Sequence, residues 1–395
     1  MTTLKSSVIV IGSGIFGVTA ALELARRGHR VTLMNPGPPP HPKASSTDIS
    51  KAVRMDYGSD ELYMTLMEEA FLAWDKWNLE WDEALYHEDG FLLMCTEEMS
   101  PGGFEYESFF LLKKRGHHAE RMNQEFLKAR FPAWEAKNYS DGYFNPRGGW
   151  AESTKVVSHL VKDAHAAGVS LRTDLSMARL WEGGSRIKGV ITTSGEPYLA
   201  DSVIVAAGPW SAVLLPHLAE LMRPVAQPIF YFRPENKADY EPERFPVWAS
   251  DLSKTGWYGF PATPDGTVKV SNHGPGRHVQ PDDSRETTLE EETKCRAFLA
   301  GTFPGLAKAP LLNSRTCLYC DTWDGNFYID HDPDRPGLVV ATGGSGHGFK
   351  FGPVLGGIIA DVVERKPNRY ASRFGWRKRG TDAAKEQARY HGQES

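Results

Sequence analysis

Val8-Ile9-Val10-Ile11 runs without a break into Gly12-Ser13-Gly14-Ile15-Phe16-Gly17. The β-branched run over 6–11 reads as a short buried strand. Residues 15–27 have helical spacing, with Val18, Leu22 and Leu24 apolar, and Gly28 supplies the stop. Strand, glycine turn and helix in that order predict the start of a doubly wound α/β sheet. Gly12 permits the tight turn, Gly14 lets the backbone approach a pyrophosphate, and Gly17 lets helix and strand pack closely. Phosphates would then face the helix N-terminus, where unpaired N–H groups and the helix dipole favour anions. A GxGxxG pattern alone is a weak signal; a strand before it and a helix after it supply the confirming context. The second strand, over 31–34, ends at Asn35, where such folds place Asp or Glu against the adenosine ribose. An amide can still bond a ribose hydroxyl, without the charge.

Further along, residues 61–77, 156–167 and 353–364 read as helices, and 90–95, 169–172 and 338–342 as strands. Residues 187–193 and 202–206 read as a hairpin arm and a return strand, and 223–234 and 257–270 alternate as antiparallel strands do. The tail after Lys366 is basic and polar and is expected on the surface or partly disordered. Nucleotide-type signals at both ends and in the middle, with antiparallel stretches between them, predict a Rossmann-like FAD-binding domain with an inserted antiparallel-sheet substrate domain. The expected division is 1–87, 142–222 and 315–395 for the cofactor and 88–141 and 223–314 for the substrate. A length of 395 residues suits two such domains.

Net charge is −5, unlike the basic footprint of a nucleic-acid binder. No stretch approaches the roughly 20 apolar residues that span a bilayer. The first residues show no signal region, the last no peroxisomal address, and four cysteines make no disulfide framework. A cytoplasmic, reducing location is the expectation, in which a free thiol survives to react.

The cradle itself does not distinguish nicotinamide from flavin. Val203-Ile204-Val205-Ala206-Ala207-Gly208 is a strand ending in a small-residue turn, readable equally as a second nucleotide-contacting strand or as plain core. Cys317-Leu318-Tyr319-Cys320 offers a thiol, and Gly343-Gly344-Ser345-Gly346-His347-Gly348-Phe349-Lys350 a glycine loop after a strand. Such a loop can turn backbone N–H groups toward flavin carbonyls. The CxxC spacing also reads as a redox or half-zinc pattern, but no second CxxC exists. On a strand the two thiols would face opposite sides.

With these motifs the chain resembles the monomeric sarcosine oxidases and the amadoriases (fructosyl amino acid oxidases) over nearly its whole length. The resemblance rests on the cradle, on 46–58, Gly149-Trp150-Ala151, 258–273, 317–322 and 345–351. It implies FAD bound covalently through the 8-methyl carbon by Cys317, with Cys320 as the alternative carrier. It implies Arg54 and Lys350 on the substrate carboxylate, Lys269 where oxygen reacts, Lys51 over one flavin face, and Tyr258, His273 and His347 near substrate or flavin. Cofactor contacts are then expected from Gly12, Gly14, Ile15, Phe16, Gly17, Asn35, Ser46, Lys51, Ala207, Gly208 and Trp210, and from Gly344, Gly346, His347, Gly348, Phe349 and Lys350. The implied reaction oxidises the secondary amine of an N-substituted amino acid to an imine, later hydrolysed, with dioxygen becoming hydrogen peroxide, in a monomer without membrane or nucleic-acid partners.

Lys51 in Asp48-Ile49-Ser50-Lys51, Gly149-Trp150-Ala151 and Arg373-Phe374-Gly375-Trp376-Arg377 lean toward the amadoriases, where sarcosine oxidases have arginine in place of Lys51. Sarcosine or another N-methyl amino acid, pipecolate and saccharopine remain alternative substrates. A nicotinamide-dependent dehydrogenase, a flavin dehydrogenase with another acceptor and a non-catalytic flavin-binding protein are the alternative classes.

Overall fold

In the computed structural model, which describes residues 6–380, Ser7–Ile11 is the inner strand of a six-stranded sheet. The order is Tyr328–His331, Leu338–Thr342, Ser202–Val205, Ser7–Ile11, Arg30–Met34, Ser170–Arg172. All pairings are parallel except that of the outermost strand, Tyr328–His331. Both faces are covered, which is why the inner strands are unbroken apolar runs. Val8 and Val10 enter one core with Val18, Leu22 and Leu24, while Ile9 and Ile11 enter another with Met34, Val203 and Val205. The two-residue period of a strand accounts for the split.

The glycine turn is fixed by contact. Gly12 has φ +99°, and a Cβ there would lie 2.7 Å from the Ala206 carbonyl oxygen. A Cβ on Gly17 would lie 1.8 Å from the Gly12 oxygen, so helix Ile15–Arg26 sits against the turn only because that atom is missing.

A nine-stranded sheet is assembled from residues 91–145 and 222–322. Its long strand Met222–Phe232 pairs antiparallel with Leu311–Thr322 along one edge and with Val268–Asn272 and Arg277–His278 along the other. Cys317 therefore stands opposite Gln227, and Lys269 opposite Tyr231, on either side of one strand. Smaller sheets join Lys51–Val53 with Gly149–Ala151 and Tyr86–His87, and Met177–Gly183 with Arg186–Thr192 and Pro197–Leu199.

Three expectations need correction. The alternation over 257–270 is not one strand: Trp257–Gly259 and Val268–Asn272 are separated by a turn that carries Pro261, Pro264 and Gly266. Residues 186–192 do not form a hairpin with 202–205; they pair with 177–183 and 197–199 instead. The basic tail is packed as far as Arg377, and Lys378, Arg379 and Gly380 are exposed. Tyr370 and Phe374 are buried, Arg373 pairs with Asp60 at 2.8 Å and Arg377 with Asp324 at 2.6 Å. Its remainder, 381–395, and residues 1–5 lie outside the described residues. Among the described residues no helix is long and apolar enough to cross a membrane, and no cluster of His, Cys, Asp and Glu is arranged to hold a metal ion.

Candidate active site

The carboxyl ends of the parallel strands open onto a cleft of about 400 Å³. The glycine turn supplies Gly12, Ser13, Gly14, Ile15 and Phe16; Asn35, Ser46 and Lys51 come from the second strand and the segment after it. Ala207, Gly208 and Trp210 follow the next strand, and Gly344, Gly346, Gly348 and Phe349 form the opposite wall. The first turn of helix Ile15–Arg26 has no acidic residue and no capping side chain from Gly14, so its N–H end is available to an anion. Ser46 Oγ accepts from the Ile15 N–H at 2.9 Å and ties the segment before Lys51 to the cradle. Glycine turn, a helix N-terminus without an acidic residue and a small-residue far wall fit the dinucleotide part of FAD.

Asn35 braces this turn. Its Oδ1 accepts from the Ser13 N–H at 3.3 Å and its Nδ2 donates to the Gly37 carbonyl at 2.6 Å. One amide hydrogen is left for a ligand hydroxyl. The glycine loop carries hydrogen bonds of its own. Ser345 N–H donates to the Cys320 carbonyl, and the N–H groups of His347 and Gly348 both donate to the Gly344 carbonyl. The first ties the loop to the strand that carries Cys320, and the other two tighten the loop itself.

Beyond Lys51 lies a buried cluster whose hub is a residue the sequence reading did not single out, Asp48. Its side chain is fully enclosed. Lys269 donates to its Oδ2 at 2.7 Å and to the Ser50 carbonyl at 2.6 Å. Lys51 Nζ lies 3.4 Å from the same oxygen, as does an Arg315 nitrogen, and Tyr231 donates its hydroxyl to Oδ1 at 2.7 Å. Burial opposes ionisation of Asp48, but Lys269, Lys51 and Arg315 overcome it and hold the carboxyl well below its usual range. Lys269, 1% exposed and 4.4 Å above the Phe260 ring, is pulled down to about 8. Burial is the largest cause, and Lys51 and Arg315 add to it against the attraction of Asp48.

Cys317 adjoins this cluster. Its sulfur lies 3.8 Å from Lys51 Nζ and 3.9 Å from the Ser45 carbonyl, and both of those residues line the cleft although Cys317 itself does not. Burial lowers Lys51, yet Cys317 and Asp48 more than compensate and its net shift is upward. Cys320 does line the cleft, at the opposite face of the strand, beside Thr342 Oγ1 at 3.7 Å. Burial pushes its thiol up to about 11.

Arg54 and Lys350 meet over one ring. The Arg54 guanidinium is 5.6 Å and the Lys350 ammonium 4.8 Å from the centre of Tyr57. The Tyr57 hydroxyl lies 3.0 Å from His347 Nδ1, and His347 Nε2 lies 2.9 Å from the Gly325 carbonyl. A carbonyl only accepts, so Nε2 carries the proton, and in the neutral ring Nδ1 accepts from Tyr57. The Tyr258 and Tyr319 hydroxyls are 3.4 Å apart, and His273 packs 5.7 Å from the Tyr319 ring. Burial raises Tyr258, with Lys51 pulling it back, so the phenol stays protonated.

Asp48, Tyr231, Arg315, Tyr57 and Tyr319 are absent from the expected set. Arg315 and Tyr319 had a local signal: each two positions from Cys317, they share that residue's face of the strand. The others depend on pairings between distant segments.

The choice left open by the cradle, nicotinamide or flavin, is closed by comparison with known proteins, and the class is that of the FAD-dependent amine oxidases. The chain belongs to the FAD dependent oxidoreductase (DAO) family, whose profile matches residues 7–362. It is 27% identical over 371 residues to the N-methyl-L-tryptophan oxidase of Salmonella enteritidis, covering 93% of this chain and 97% of that one. Among solved structures, the deglycating enzyme fructosamine oxidase (Amadoriase II) of Aspergillus fumigatus matches with a TM-score of 0.82 at 25% identity, over 94% of this chain and 89% of that one. Fructosyl peptide oxidase from E. terrenum shares the fold, with a TM-score of 0.85 at 22% identity over 98% and 95%.

Proposed function

We propose that the chain oxidises the secondary amine of an N-substituted amino acid, with its FAD carried on Cys317 and dioxygen as the acceptor. The observation that carries this reading is the continuous line of Cys317, Lys51, Asp48 and Lys269 at one end of the cofactor cleft, with contacts of 3.8, 3.4 and 2.7 Å. When bound, FAD supplies the two-electron oxidation of the C–N bond and passes the electrons to dioxygen, giving an imine and hydrogen peroxide.

The protein groups bind, orient and polarise. Arg54 and Lys350 take the substrate carboxylate, the planar fork of the arginine matching two carboxylate oxygens. Tyr258, His273 and His347 are assigned to the neighbourhood of substrate or flavin. Three cations, Lys51, Lys269 and Arg315, share one carboxylate, Asp48. The surplus positive charge disfavours an ammonium nearby and so favours the neutral amine that reacts. Lys269 supplies positive charge where negative charge arrives on oxygen, and a buried site magnifies its effect. Cys317 is the better candidate for the tether, because Lys51 is in place to pair with its sulfur, whereas Cys320 has no cation beside it and a thiol held in the neutral form.

A fructosyl amino acid is the favoured substrate, from Lys51, Gly149-Trp150-Ala151 and the likeness to the amadoriases. An N-methyl amino acid is the second reading, favoured by the N-methyl-L-tryptophan oxidases at 27% identity. Peroxide release from fructosyl amino acids, N-methyl-L-tryptophan, sarcosine, pipecolate and saccharopine under matched conditions separates them. Turnover is expected with one N-substituted class and not with the parent primary amino acids; no peroxide from any of them contradicts the proposal.

Arg54→Ala is expected to raise the substrate concentration for half-maximal turnover about 30-fold, the equivalent of roughly 2 kcal/mol for a lost charge-assisted contact. An unchanged value in steady-state kinetics removes Arg54 from the carboxylate site.

A further inference from the structure

Asp56 is a buried acid with no part in the chemistry above. Its side chain is 0% exposed. Tyr143 donates its hydroxyl to Oδ1 at 2.8 Å, while among the described residues Oδ2 has no hydrogen-bond partner. Both cations assigned to the substrate carboxylate are close by. Arg54 donates Nη1 to the backbone carbonyl of Asp56, and Arg54 and Lys350 both act on the Asp56 carboxyl electrostatically.

A carboxyl group inside a carboxylate-binding site is in conflict with the ligand. Ionised, it neutralises one of the two cations and repels the incoming anion. Protonated, it does neither, and its O–H becomes a donor. We propose that Asp56 is the internal competitor of the substrate carboxylate, so that the anion binds together with a proton taken up by Asp56. The inference rests on the reading of Arg54 and Lys350 as the carboxylate clamp.

The surroundings define the balance. Arg54 faces Asp56 from its own segment, Tyr143 from strand Asp141–Asn145, and Lys350 from the glycine loop; Tyr57 and His347 stand one contact further away. Burial shifts Asp56 upward, and Arg54, the Tyr143 hydroxyl and Lys350 only partly reverse this. Tyr143 is itself pushed well up, by burial and then by Asp56, and remains a phenol donor. A bound anion raises Asp56 further. Affinity is then greatest below the ligand-free value of Asp56. Above it, affinity falls by about tenfold per pH unit until the value in the complex is passed.

The test uses the holoenzyme and propionate, a carboxylate with no C–N bond to oxidise. Binding is read from the perturbation of the flavin absorbance at several pH values. Proton uptake is read by calorimetry in two buffers of different protonation enthalpy. The expected result is affinity that falls as pH rises, with uptake approaching about one proton per bound anion between the ligand-free and complexed values of Asp56. Asp56→Asn is expected to flatten the pH dependence, abolish the uptake and bind propionate more tightly at high pH. If that variant does not fold, the calorimetry of the unaltered enzyme decides alone. Binding without pH dependence or proton uptake overturns the inference and leaves the clamp intact. A pH dependence that persists in Asp56→Asn assigns it to another group and also overturns the inference. No binding at any pH removes the clamp itself.

Discussion

Replacing Lys269 by Met is expected to slow the reaction of the reduced enzyme with oxygen about 10²- to 10³-fold, the usual effect of removing one preorganised charge in a buried site. Reduction by substrate under anaerobic conditions should change far less, because the substrate is assigned to Arg54 and Lys350 instead. The variant should fold. Asp48 keeps Lys51 and Arg315 at 3.4 Å and the Tyr231 hydroxyl at 2.7 Å, so no buried carboxylate is stranded. Stopped-flow measurement of the two half-reactions separates the effects, and equal slowing of both contradicts the role given to Lys269. The pH dependence carries a further signature. Burial lowers Lys269 to about 8, so the charged form dominates below that pH and is lost as pH rises through it. The oxygen rate of the unaltered enzyme should therefore fall through that range, and the rate of the Lys269→Met variant should not.

Cys317→Ala has the second large effect expected, and it is close to all-or-none. With the tether at Cys317, acid precipitation of the variant should leave the flavin in the supernatant, whereas the unaltered protein should carry it into the pellet. Cys320→Ala should behave as the unaltered protein. The asymmetry follows from the two environments. The Cys317 sulfur is 3.8 Å from an ammonium group, while Cys320 is buried against Thr342 with its thiol pushed up to about 11. Flavin retained by Cys317→Ala places the linkage elsewhere.

Much of the nucleotide fold was legible because its signals are local. Four β-branched residues, a glycine turn and an apolar helix lie within 20 positions, and the burial of both faces of Ser7–Ile11 follows from that composition alone. Asp48 was not legible. In Thr47-Asp48-Ile49-Ser50 it reads as a loop acid, yet Tyr231, Lys269 and Arg315 enclose it from strands about 180 to 270 positions away. The same separation hid the packed tail. Arg373 and Arg377 look like surface charges until Asp60 and Asp324 are brought to them, and Tyr370 and Phe374 supply the apolar anchor. The internal hydrogen bonds of the glycine loop were hidden for a different reason. Ser345 has φ +43° and Gly346 φ +75°, and the turn these angles create directs the Ser345, His347 and Gly348 donors to the Gly344 and Cys320 carbonyls.

The placement of the cofactor ring beside Cys317, Lys51, Asp48 and Lys269 is tested most directly by mass analysis of peptides from the denatured, protease-digested holoenzyme. The peptide bearing Cys317 should carry the mass of the flavin on that residue and the one bearing Cys95 or Cys295 should not. A flavin found on Cys320, on a residue outside this strand, or free in solution would contradict it.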